Sequence, residues 1–247
     1  VVFDKDSGAP EWTPYEQLNV ALAAGKIAEA YANAYNREAT RRYAESCNAG
    51  LSSLALNDTL EPWEAFFYIH RGKVTFTRKS YSCIGCWAEV QASNRIWMFK
   101  NAKIEDWRFI THEFGHAFER SVWNALGGEG STRWKQKLGR NALTESLWWR
   151  EYGGEQYGGF AGPLWEWQWN PSEGGYMDGK DGRGEIFADM FAGWVWNHWE
   201  QSPSGVGWSP KGQERADFMN FNMDNWIYGI ISKRKPGIGQ LLSVINP

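Results

Sequence analysis

The sequence predicts an α+β fold in a single domain spanning residues 1–247. Three observations lead there. The stretches 13–47, 107–127 and 184–199 carry apolar residues at three-to-four spacing, the period of a helix with one buried face. Residues 51–100 change character and hold short aromatic and β-branched runs separated by turn formers, the pattern of strands. No internal repeat, low-complexity tract or linker interrupts the chain, so an N-terminal half (about 1–128) and a mainly helical C-terminal half (about 129–247) are expected to flank one cleft.

The elements follow in order. Residues 1–12 read as an irregular lead-in. Thr13-Pro14-Tyr15-Glu16 is a capping box with proline at the first helical position. A long helix should run from there to about Cys47, with Leu18, Ala21, Leu22, Ile27, Ala28, Tyr31 and Tyr35 on its buried side and Asn48-Ala49-Gly50 ending it. Phe66–Ile69, Val74–Thr77, Cys86–Val90 and Arg95–Phe99 read as strands, and the last is the candidate sheet edge for pairing an extended ligand. Trp107, Ile110, Phe114, Ala117, Phe118, Val122 and Leu126 form the apolar stripe of a helix that Gly127-Gly128 stops. A further helix is expected around Leu143–Tyr152. The glycine-rich segment 153–184, with Trp165-Glu166-Trp167-Gln168-Trp169, is too long for an ordinary connection. It reads either as a cleft wall or lid, or as a loop tied down by its own tryptophans. A helix follows from Gly184 to Trp199. Ser209-Pro210 starts another, with Phe218, Phe221, Trp226 and Ile227 as its apolar side.

Composition narrows the function. A net charge of −3 gives no electrostatic case for nucleic acid or an anionic membrane surface. No run of 18 apolar residues occurs, so no membrane span is expected. The start Val1-Val2-Phe3-Asp4, without a methionine, fits a processed or trimmed chain. The 17 tryptophans serve mostly as core, and a minority could line a cleft. Three cysteines leave several readings open. Two of them can form a disulfide, with Cys83 and Cys86 of the C-x-x-C turn as the candidate pair, which implies an oxidising compartment and a secreted, extracellular protein. Cys47, His70, Cys83 and Cys86 match a structural zinc site by ligand type. Buried free thiols are the third reading.

Chemistry concentrates at Thr111-His112-Glu113-Phe114-Gly115-His116, an H-E-x-x-H motif. On a helix, His112 and His116 stack at i and i+4, the spacing at which two imidazoles converge on one zinc ion at about 2.0–2.2 Å. Glu113 lies between them, off the metal, where it can take a proton from water. The second stretch is Gly184-Glu185-Ile186-Phe187-Ala188-Asp189. Glu185 and Asp189 again share a helix face. Glu185 can complete a two-His-one-Glu site, and Asp189 can accept a hydrogen bond from the outer nitrogen of a ligand histidine, most naturally His112. Two solvated acids on a surface helix are the bland alternative. His198 lies about 220° around that helix from Glu185 and is a poor ligand. Asp178-Gly179-Lys180-Asp181-Gly182 is only a fragment of a calcium-loop pattern.

H-E-F-G-H followed by E-I-F-A-D resembles the gluzincin zinc metallopeptidases, and among them the catalytic domains of anthrax-lethal-factor-type toxins. The resemblance covers residues 104–126 and 176–199, and the last position of the second motif is Asp189 where the toxins carry Glu. It implies a zincin-like architecture, a small, mostly antiparallel sheet packed on the H-E-x-x-H helix. It also implies a tyrosine shortly before the third ligand, for which Tyr176 is the candidate; as donor to the anionic tetrahedral intermediate Tyr176 is the first choice, with Tyr157 and His198 as weaker ones.

Together these readings give a zinc-dependent endopeptidase acting on a protein or peptide substrate, with Glu113 as general base. The alternatives are a non-catalytic module on the same scaffold that binds glycan or peptide in a tryptophan-rich cleft, and an intracellular zincin that cleaves one partner. An intact Glu113 argues for catalysis, since a binding module has no use for a general base.

Overall fold

The computed structural model describes residues 1–48, 59–84, 86–102, 104, 106–127, 169–170, 175–176 and 183–235. Of residues 123, 169, 170, 175, 176, 183–186 and 211 it describes the backbone alone. The segments expected as a helix at 143–152 and as the body of the 153–184 loop, together with Tyr157, residues 178–182 and the tail 236–247, lie outside the described residues.

β1 (Val2–Lys5) precedes the long helix α1 (Pro14–Asn48). The capping box forms: the Thr13 backbone N–H donates to Glu16 Oε2 at 2.9 Å, and the Glu16 N–H to Thr13 Oγ1 at 3.2 Å. The inner face of α1 is Val20, Ala23, Ala24, Ile27, Ala28, Tyr31 and Tyr35. Leu18 and Leu22, expected inside, are 54% and 56% exposed, and Ala21 is exposed as well. Each leucine stands nine residues before a buried anchor (Leu18 before Ile27, Leu22 before Tyr31). At 100° per residue that is about 180°, the opposite side of the helix.

α2 (Pro62–His70) replaces the strand expected at Phe66–Ile69. The short aromatic run is ambiguous by periodicity alone. Local signals decide it: Pro62 occupies the first turn and the Glu61 N–H donates to the Glu64 carboxylate at 2.9 Å. At the other end Arg71 turns left-handed with φ 59°, and the Gly72 N–H reaches the Phe67 carbonyl at 2.9 Å.

β2 (Thr75–Arg78), β3 (Ala88–Ala92) and β4 (Arg95–Met98) join β1 in a four-stranded sheet of order β1-β2-β4-β3. The β1–β2 and β2–β4 pairs are parallel and only β3–β4 is antiparallel, which corrects the expected mostly antiparallel sheet. One of the two parallel pairs comes from β1 and the other from the return of β4 beside β2. β1 lies in the lead-in expected to be irregular: only Phe3 is even half-buried in it, yet it pairs with β2 through its backbone. The expected edge strand also changes. β4 is interior, flanked by β2 and β3, and the two edges are β1 and β3.

α3 (Trp107–Val122) continues into a π-helical turn, Trp123–Gly127. β5 (Trp169–Asn170) and β6 (Gly175–Tyr176) form a two-stranded ladder. α4 (Arg183–Trp196) and α5 (Pro210–Arg234) complete the described chain. Ser209 caps α5 by accepting the Gly212 N–H at 3.0 Å, with Pro210 in the first turn. Its inward stripe is Ala216, Met219, Met223, Ile227, Ile230 and Ile231. Phe221, expected on that side, is 76% exposed because it lies two residues from both Met219 and Met223, about 200° away.

The architecture is α+β. Phe76, Val90, Ile96 and Met98 from the sheet pack with Ile110, Phe114 and Phe118 of α3 in one buried apolar cluster to which α1, α2, α4 and α5 contribute. Phe114 meets Phe76 edge-on at 5.5 Å, and Tyr31 stacks on Phe118 at 5.6 Å. At the far end of α5, the Arg234 guanidinium donates to the carbonyls of Tyr68 and Ile69 and to that of Ser121. One side chain thereby satisfies C-terminal carbonyls of both α2 and α3. Among the described residues no helix is long and apolar enough to cross a membrane.

Candidate metal centre

α3 begins at Asp106, whose carboxylate accepts the Arg108 N–H at 2.8 Å, an N-cap in the usual position. The helix then runs through the H-E-x-x-H motif with Phe114 and Phe118 buried in the core. Those anchors set its rotation, and the rotation aims His112 and His116 the same way. Their Nε2 atoms lie 3.2 Å apart, with the rings nearly perpendicular at 86°. Glu113 is buried between them in sequence.

α4 supplies the neighbouring carboxylate. His112 Nδ1 meets Asp189 Oδ1 at 2.7 Å, and Asp189 is only 1% exposed. An aspartate carboxylate accepts and does not donate, so Nδ1 carries the proton. The Nε2 lone pair of His112 is then the one directed at His116. Two nitrogens bound to one tetrahedral metal at 2.0–2.1 Å stand about 3.3–3.4 Å apart, so this pair of imidazoles already has close to the required separation. The donor set, its spacing and the fixed tautomer all fit a zinc ion.

Gly115 lets α4 come this close. A Cβ built there would stand 2.8 Å from Ala188 Cα and 3.2 Å from the Ala188 carbonyl oxygen. The motif glycine is thus the point where the two helix backbones nearly touch, one residue from Asp189. The helices run in opposite senses. Trp107 packs against Trp196 with ring centres 4.0 Å apart, and Phe118 stacks near Phe187 at 6.3 Å. Trp196 also donates its indole N–H to Thr111 Oγ1 at 2.9 Å, which closes the Trp107 end of the pair.

The structure therefore brings together His112, His116 and Asp189. Glu185 belongs to the first turn of α4, one turn ahead of Asp189, and its side chain lies outside the described residues. Tyr176 pairs with Trp169 in the β5–β6 ladder, again with no side chain described. Among the described residues, which leave out the side chain of Glu185, no group of three His, Cys, Asp or Glu side chains forms a metal-holding cluster. His198 needs a correction. α4 ends at Trp196, so His198 is an exposed residue beyond the helix and the angular argument against it does not apply.

One neighbour was missed in the sequence. Glu119, three residues after His116, is buried, and its Oε2 stands 3.9 Å from His116 Nδ1. The signal was available in the i, i+3 spacing, which places both side chains on one helix face.

The cysteines form no metal site with His70. Cys83 and Cys86 are joined in a disulfide, whose turn Asn101 holds by donating to both cysteine carbonyls at 3.2 Å. Cys47 is a half-buried free thiol near the end of α1. His70 is fully buried, with Nδ1 at 2.6 Å from the Ser93 carbonyl and Nε2 at 3.4 Å from the Tyr31 hydroxyl. Burial pushes its pKa down to about 3, with the Arg234 charge acting in the same direction and the Ser93 hydrogen bond opposing.

Compared with known proteins, no family model, no curated protein and no solved structure matches this chain.

Proposed function

We propose that the chain is a zinc-dependent endopeptidase of the gluzincin type. The observation that carries the reading is the His112–His116 pair, with Nε2 atoms 3.2 Å apart and the outer nitrogen of His112 fixed by Asp189. In this reading His112, His116 and Glu185 hold the metal. The position of Glu185 supports that role: it shares a helix face with Asp189, and the opposed run of α3 and α4 carries it from the level of His112 toward that of His116. Zinc supplies Lewis acidity toward a scissile carbonyl and lowers the pKa of water.

The chain's own residues do the rest. Glu113 takes the proton from the attacking water and later delivers it to the leaving amine. Tyr176 donates a hydrogen bond to the developing oxyanion. An extended peptide substrate pairs with β3, which of the two outer strands is the one that α3 packs against. The Cys83–Cys86 disulfide supports an oxidising compartment and a secreted protein.

Glu113→Gln tests the catalytic claim. It keeps the shape and cannot accept a proton. The variant should fold and retain zinc while casein or peptide cleavage falls by at least about 10²–10⁴-fold. His112→Ala should lose zinc and activity together. A zinc-loaded wild type that cleaves nothing from mildly acidic to mildly basic pH would put a peptide- or glycan-binding module in place of the enzyme. Unchanged cleavage by Glu113→Gln would assign the base to another residue.

A further inference from the structure

We infer that Glu119 is a positioning residue that holds His116 as a metal ligand, an inference that rests on the metal-site reading above. The two imidazoles are not equivalent in their surroundings. His112 is held from the neighbouring helix, by Asp189 on Nδ1 at 2.7 Å. His116 has its own carboxylate within α3, since Glu119 Oε2 stands 3.9 Å from its Nδ1. In both cases the acid lies on the outer nitrogen, and the two Nε2 atoms face each other across 3.2 Å.

Burial makes the Glu119 contact informative. The Glu119 side chain is only 12% exposed. A carboxylate withdrawn from water is costly unless positive charge or hydrogen-bond donors replace its hydration. Among the described residues, the imidazole of His116 is the one side chain able to carry positive charge that stands within 4.0 Å of this carboxylate. The arrangement becomes favourable when His116 gives its Nε2 lone pair to a cation, because the Nδ1 proton then carries more positive charge and faces the acid. The present separation is too long for a hydrogen bond. About 1 Å of side-chain movement, within the freedom of a glutamate rotamer, brings it into range.

Glu119 and Asp189 would then divide the work. Asp189 sets the His112 tautomer from α4, so its effect depends on the packing of the two helices. Glu119 sets the His116 tautomer from the same helix and needs no partner element. The H-E-x-x-H motif extends in this chain to H-E-x-x-H-x-x-E.

The test is zinc affinity of the full chain, read by competition with a chromophoric chelator, for wild type, Glu119→Ala, Glu119→Gln and Glu29→Ala. Glu29 is an exposed acid of α1 and controls for the lost charge. Glu119→Ala should bind zinc roughly 10–100-fold more weakly, and Glu119→Gln, which keeps the volume and loses the charge, roughly tenfold. Glu29→Ala should match wild type. In the zinc-loaded protein the ¹⁵N resonance of His116 Nδ1 should shift in Glu119→Gln while that of His112 stays in place, a response that a merely structural role would not give. Wild-type affinity in both Glu119 variants, or an equal loss in Glu29→Ala, overturns the inference and leaves the metal site standing. A wild type that takes up no zinc overturns both.

Discussion

At the scale of single residues, Asp189 shows how one carboxylate can decide what an imidazole does. It accepts from His112 Nδ1 at 2.7 Å and offers no proton of its own, so the lone pair on Nε2 is kept toward His116. Asp189→Asn keeps the volume and introduces an amide donor. The amide can turn its N–H₂ toward Nδ1, which would then act as acceptor and move the proton to Nε2, where the lone pair is needed. Zinc affinity or activity should fall roughly 10–100-fold, measured by chelator competition and peptide turnover. Wild-type values in that variant would remove Asp189 from the site. This contact was legible in the sequence because helix spacing fixes which side chains share a face. The Glu119 contact was equally legible in principle, three residues beyond His116, but a lone acid after a motif does not stand out until its burial is seen.

At the scale of elements, the meeting of α3 and α4 depends on Gly115. A methyl group there would meet Ala188 Cα at 2.8 Å and its carbonyl oxygen at 3.2 Å, both backbone atoms with no rotamer to yield. Gly115→Ala raises helix propensity by up to about 1 kcal/mol, yet the helices must part to admit the methyl, which typically costs about 1–3 kcal/mol. The clash should win. The variant should melt a few degrees lower and bind zinc more weakly, because Asp189 moves away with α4. A higher melting temperature with unchanged zinc affinity would show that the crossing tolerates a side chain. Nothing in the sequence marks this contact, since a close approach belongs to two helices and the glycine belongs to one. The same limit explains the other element-scale misses. Phe66–Ile69 is a short apolar run that fits either period, and Glu61, Pro62 and Glu64 make it helical. Arg95–Phe99 reads correctly as a strand, but its neighbours, and so its interior place, depend on β1 and β3.

At the scale of the whole molecule, helix starts are legible in the sequence and buried faces less so. Thr13–Glu16 and Ser209–Pro210 start helices where local chemistry places them. The inner faces of α1 and α5 follow Tyr31 and Met223, residues whose burial is set by partners distant in sequence. His70 is the clearest case of such a long-range environment. It sits at the end of α2, bonded toward Ser93 and Tyr31, with its ring against Phe66 and Phe114 and its pKa lowered to about 3. An unfolded chain carries this histidine near its ordinary pKa of about 6.5. Between those values the unfolded state binds a proton that the folded state refuses, so stability rises with pH. The contribution is complete above about pH 6.5 and is lost as pH falls toward 3, with a slope of about 1.4 kcal/mol per pH unit. To isolate the contribution of His70 from that of the other ionisable groups, the measurement compares urea unfolding of wild type and His70→Asn from pH 7 to 5, both with chelator. Asparagine keeps an N–H for the Ser93 carbonyl and has no proton to gain. His70→Asn should be less stable at pH 7 and show a shallower pH dependence, the two curves converging as the pH falls. Parallel curves would mean that His70 is protonated in the folded protein as readily as in the unfolded one.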